Sequence, residues 1–76
     1  MSPAESDDTG IHCRLDELLE SRELTLTRLS EIVGVSVVNL SILKNDRARA
    51  IRYSTLVAIC EALNCEVGDL LVRQRP

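Results

Sequence analysis

Four bases crowd one short stretch, Lys44, Arg47, Arg49 and Arg52, against the single acid Asp46, so residues 44–52 are locally +3. Guanidinium and ammonium groups at that density suit anionic oxygens, phosphate above all, because arginine presents a planar fork of donors and lysine a compact charge. A plain solvated loop is the rival account of such a run. Other reactive groups are sparse. Cys13, Cys60 and Cys65 are odd in number and match no paired zinc-ligand spacing. A site made from His12, Cys13, Cys60 and Cys65 is disfavoured because Cys60 falls on the apolar face of a helix, where a thiol acts as a small hydrophobe. Reduced thiols, no metal and no cofactor are expected. His12 and Cys13 are neighbours on a candidate strand and point to opposite faces, leaving no nucleophile and base together. Asp16 and Glu20 form an i, i+4 pair on a solvated helix, and no glycine-rich phosphate loop is present. The chain does not read as an enzyme.

The net charge of −3 at first argues against a polyanionic partner. Its distribution argues the other way. Glu5, Asp7 and Asp8 lie in a tail without a base, and the remainder carries nine acids and nine bases. Residues 1–10 are polar, with Pro3 and Gly10 and no periodicity, and are expected to be a disordered acidic tail. Residues 11–76 then make one small domain, near the lower limit of size for a self-supporting core. Its 45% hydrophobic content includes one aromatic residue, Tyr53, so that core must be aliphatic. No apolar run is long enough to span a bilayer and no signal pattern opens the chain, which implies a cytoplasmic protein with no membrane partner.

The elements that position the basic run are legible in apolar spacing. A first helix over 14–22 buries Leu15, Leu18 and Leu19, with Asp16, Glu17 and Glu20 to solvent. Glu23 follows where a helix stop favours glycine, and a left-handed glutamate there costs roughly 1 kcal/mol. Thr25 caps a second helix over 26–33, with Leu29, Ile32 and Val33 as its core stripe, and Ser36 caps a third over 37–44 or 45, with Leu40 and Leu43. Gly34 between them makes the sharp turn, with φ expected positive. Two short capped helices around one glycine are the grammar of a helix-turn-helix. Asn45 and Asp46 close the third helix, and 48–53 is an extended loop. Ser54 is expected to cap a fourth helix carrying Leu56, Ile59, Cys60 and Leu63, stopped by Asn64, before a last turn over 67–71. Ile11–Cys13 and Leu71–Arg73 can pair as a short ribbon, with His12 exposed on it.

Advancing about 100° per residue along the third helix turns Val37, Val38, Ser41, Ile42 and Asn45 outward. In a DNA groove valine and isoleucine touch only thymine methyl groups, leaving Ser41 and Asn45 as hydrogen-bonders. An exposed apolar stripe needs a partner of some kind, so burial of Val37, Val38 and Ile42 against protein stands as the other reading.

The spaced pattern L-T-x-x-x-L-S-E-x-V-G-V-S, then L-K-N, then A-x-C-E-A-L-N-C-x-x-G-D-L-L resembles the Xre/Cro-type helix-turn-helix family of transcriptional regulators, in a compact YozG-like subgroup. The resemblance covers about 65 residues. It implies an all-α, five-helix lambda-repressor-like DNA-binding domain, here with room for the two-stranded ribbon joining the termini. It also implies a repressor-like regulator that binds double-stranded DNA; because one small module with few base contacts has little affinity or specificity alone, a homodimer is expected. Val37, Val38, Ser41, Ile42 and Asn45 would face bases, with Thr25, Ser36, Lys44, Arg47, Arg49 and Arg52 at phosphates. The chain departs from the family at Leu26, where a polar residue is usual, at Glu23 and Asp46, where glycine is frequent, and at Lys44, where an acid is common. The rival function is a protein-interaction module, antitoxin-like or a co-regulator subunit, holding a protein partner on the apolar face of the third helix.

Overall fold

The computed structural model describes residues 9–74, so the acidic tail expected over 1–10 falls, as far as residue 8, outside the described residues. The order of elements is β1 (Ile11–Cys13), α1 (Leu15–Ser21), α2 (Leu26–Val33), α3 (Val37–Lys44), α4 (Tyr53–Leu63), α5 (Val67–Leu70) and β2 (Leu71–Arg73). The five helices enclose an aliphatic core in which Leu15, Leu29, Leu40, Ile59, Leu63 and Leu70 are fully buried. Among the described residues no polar or charged side chain is buried. All of the polar work is therefore done at the rim of the core.

β1 and β2 pair antiparallel, with His12 opposite Val72 and Cys13 opposite Leu71. The ribbon is extended at both ends by backbone bonds, Gln74 N–H to the Gly10 carbonyl and Arg14 N–H to the Leu70 carbonyl, each 2.7 Å. Gly10 is required there: its φ is +78°, and a Cβ would stand 2.8 Å from the Gln74 oxygen. A ribbon of three-residue strands is weak alone and needs an anchor.

Three helices end in the same closure without a glycine. After α1, Leu24 N–H reaches the Leu19 carbonyl and Glu23 N–H the Glu20 carbonyl; after α3, Arg47 reaches Ile42 and Asp46 reaches Leu43; after α4, Cys65 reaches Cys60 and Asn64 reaches Glu61. These are paired six-to-one and five-to-two bonds, a geometry that requires one left-handed residue. Glu23, Asp46 and Asn64 supply it at φ of 54°, 61° and 51°. The end of α4 is also held by Arg22, whose Nε donates to the Leu63 carbonyl at 2.7 Å. A cation on terminal carbonyls is favoured by the helix dipole, and this one ties α4 to the end of α1.

Asp46 makes the tie that anchors the ribbon. One carboxylate oxygen accepts the Cys13 backbone N–H at 2.7 Å, and the other lies 2.7 Å from His12 Nδ1. Burial raises the pKa of this carboxyl, but the Cys13 amide and then His12 outweigh it, and the net shift is downward. His12 is accordingly half-buried and partnered, where the sequence suggests an exposed strand residue.

Two further expectations are corrected. Helical spacing puts Ile32 in the core stripe of α2, but it is 49% exposed. The buried line of α2 runs through Leu26, Leu29 and Val33, and Ile32 falls about 90° from it. Ser54 is the capping residue expected for α4, yet the helix begins one residue before it, at Tyr53, with Arg52 at the cap and no side-chain capping bond. Ile51 and Leu56 explain the earlier start. They stand at the two positions a hydrophobic staple uses, and both pack in the core, so burying Ile51 outweighs a serine cap.

Glu23→Gly relieves left-handed strain without losing a partner, and is expected to add about 1 kcal/mol, raising Tm by roughly 4–8 °C in a thermal melt. Asp46→Gly, at the same backbone conformation, is expected to lose stability because the Cys13 amide is left without its acceptor. Equal effects at the two sites would contradict this account. Because the Asp46 carboxyl is shifted downward, its charge stabilises the fold above its unfolded pKa and that contribution is lost as pH falls through the folded value. Asp46→Asn keeps an acceptor but no charge, so its deficit relative to wild type in urea titrations should be present at neutral pH and shrink below about pH 4.

Candidate nucleic-acid interface

The chain bends by 117° between α2 and α3, the corner of a helix-turn-helix. Three local devices fix it. Thr25 Oγ1 accepts the Arg28 N–H at 3.0 Å and Ser36 Oγ accepts the Asn39 N–H at 3.1 Å, so each helix starts at the residue that caps it. Gly34 takes φ +73° and has open space around it, so conformation and not crowding calls for glycine there. Ser30 Oγ donates to the Val35 carbonyl at 2.6 Å across the turn, a clasp that caps and periodicity do not reveal.

With the corner fixed, Leu40 and Leu43 are buried and the opposite side of α3 faces out. Val38 is 68% exposed, with Val37 and Ile42 also exposed and Ser41 half-buried. Asn45 is exposed but turns its amide back, donating through Nδ2 to the Ser41 carbonyl at 2.9 Å. The face is therefore mostly methyl groups, and its most polar member is bound to its own helix.

The basic loop lies along one flank of α3. A groove lined by Ser36, Asn39, Ile42, Arg47, Arg49 and Arg52, among others, runs between that helix and residues 47–52. Arg47 and Arg52 are exposed, and their guanidinium groups make no hydrogen bond or ion pair with any described residue. Several other cations are occupied, Arg73 on β2 being an exception among the described residues. Arg14 pairs with Glu17, Arg28 with Glu31, and Arg22 holds the end of α4. Lys44, whose position suggests a phosphate contact, has its ammonium 3.1 Å from both oxygens of Asp16 on α1. Leu26, which stands where a polar residue is usual, packs against the core instead.

The thiols of Cys60 and Cys65 are neighbours at the end of α4, and Cys13 lies on β1. Cys13 and Cys60 are buried and Cys65 is half-buried. Burial, and then the nearby Cys65, push the Cys60 thiol up to about 11, so it stays protonated in the core. The described residues bring no three of His, Cys, Asp and Glu together as a metal cluster.

Comparison with known proteins agrees with this geometry. The model of the Cro/C1-type HTH DNA-binding domain matches residues 14–76. The chain is also 56% identical over 62 residues to a Bacillus subtilis (strain 168) protein described as the uncharacterized HTH-type transcriptional regulator YozG, covering 82% of this chain and 74% of that one. The chain belongs to the Cro/C1-type helix-turn-helix DNA-binding family.

Proposed function

We propose that this family member is a transcriptional regulator, repressor-like in that it acts by occupying duplex DNA, with α3 in the major groove and the loop after it on the phosphates. One juxtaposition carries the reading: the outward face of α3 stands beside Arg47 and Arg52, two cations that no described residue engages. Electrostatic contacts to phosphate supply much of the affinity of such proteins, and groove contacts supply the preference. Val37, Val38, Ser41, Ile42 and Asn45 are the base-facing set. Arg47, Arg49 and Arg52 grip the backbone on one flank. Thr25 and Ser36 belong to the phosphate set through the helix starts they cap, where unpaired amides and the helix dipole favour an anion. Lys44 joins that set only by exchanging Asp16 for phosphate.

The same reading includes a homodimer acting in the cytoplasm. One module with few hydrogen-bonding base readers has little affinity alone, and two-fold pairing doubles its phosphate contacts. Tyr53, 84% exposed, and Val57 share a face of α4, and Val67 is exposed on α5; these apolar groups lie outside α3 and suit pairing with a second copy. No single helix among the described residues is long and apolar enough to cross a membrane.

The exposure of Val38 also favours a second reading, a protein-interaction module holding a partner on α3. Titration of random-sequence duplexes across salt concentrations separates the two. DNA affinity should fall steeply with salt, and Arg47→Ala with Arg52→Ala should reduce the slope of log affinity against log salt by about 2. Asp16→Asn, which releases Lys44 and removes an anion, should tighten binding. No binding to any duplex at low salt would defeat the DNA reading and leave the protein partner.

A further inference from the structure

The outward face of α3 has a chemical peculiarity that narrows its ligand, on the premise that this face enters the major groove. Guanine is read there by two donors reaching O6 and N7, and adenine by an amide giving one donor and taking one acceptor. The α3 face carries no arginine, lysine or glutamine. The Asn45 amide is turned onto the Ser41 carbonyl, Ser41 is half-buried, and the exposed Asn39 lies about 60° round the helix from Ile42, on the flank that lines the groove with Arg47 and Arg52. Val37, Val38 and Ile42 remain, and they distinguish base pairs only by apolar contact.

The one apolar group that base pairs present in the major groove is a methyl on pyrimidine C5. Thymine carries it always, and cytosine carries it when methylated. We infer that α3 reads C5-methyl groups, so that the ligand is duplex DNA with thymine, or 5-methylcytosine, facing Val38 and Ile42. Val38 and Ile42 are one turn apart, about 6 Å along the helix, and bases along a strand rise about 3.4 Å each. The two side chains thus match methyl groups about two base steps apart when the helix follows the groove. Arg47 and Arg52 do not compete for this role, since they lie beyond the helix and suit phosphates.

Replacement of thymine by deoxyuridine tests the inference, because it removes the methyl and leaves every hydrogen-bonding group in place. The full chain is first used to select its tightest duplex from a random pool, and that duplex is then remade with uracil. Affinity at fixed salt should fall about fourfold for each methyl contacted, as burial of one carbon predicts. Cytosine at the same positions should bind better when methylated at C5. Val38→Ala with Ile42→Ala, both exposed and helix-compatible, should keep the helical circular dichroism and bind the thymine and uracil duplexes nearly equally. Equal binding of both duplexes by the wild type overturns the inference while leaving the DNA reading intact. A thymine preference that persists in the double variant also overturns it, because the methyl is then felt through DNA shape and not by α3. If no duplex binds at all, the reading of the protein as a DNA binder fails and the inference falls with it.

Discussion

The Asp46 carboxylate ties together two parts of the molecule that otherwise meet through the packing of Cys13 on the core and the pairing of Lys44 with Asp16. Its backbone ends α3 in a left-handed turn, while its side chain reaches the amide of Cys13 and the ring of His12 on β1. The helix that faces outward, the basic loop that begins at the next residue and the ribbon that joins the ends of the described chain are thereby fixed to one another. Glycine would satisfy the backbone at this position but could not make the tie. The strain of a non-glycine residue at positive φ is offset by a charge-assisted bond to the strand.

The same logic distinguishes the three helix closures. Asn64 tolerates the left-handed region and Asp46 is compensated by its partners, whereas the Glu23 side chain has no partner among the described residues and its strain is relieved by nothing local. The closures after α1 and α4 let the next helix begin within a few residues, with Leu24 and Cys65 packed on the core, whereas the closure after α3 passes through the exposed Arg47 into the basic loop. That compactness is what an aliphatic core of this size needs.

Much of this architecture is readable from residue order because its causes are local. Thr25, Gly34 and Ser36 act within a few residues, so the bounds of α2 and α3 match expectation, as does the left-handed Glu23; the ribbon also matches, although it is long-range, because its two short apolar stretches stand at opposite ends of the domain. The failures arise where a distant partner decides the outcome. Ile51 reaches the core and draws the start of α4 ahead of Ser54. Asp46 and Cys13 are 33 residues apart, and Lys44 and Asp16 are 28 apart, so neither pairing leaves a trace in periodicity. Ile32 departs from expectation for a different reason: four apolar residues on a two-turn helix define more than one plausible stripe, and packing against α3 and α4 selects among them.

The ribbon has a mechanical consequence. Gly10 and Gln74 are joined by a backbone bond at the same end of the antiparallel pair, so both ends of the described chain leave the domain side by side. A pull applied through them meets the hydrogen bonds one after another, as a zipper is opened, and not all at once in shear. The Gly10 to Gln74 bond yields first, the pairing of β1 with β2 next, and the load then arrives at Cys13 and the carboxylate that holds it. Tension on the termini is in this way delivered through β1 to the end of α3 and through β2 to the buried Leu70.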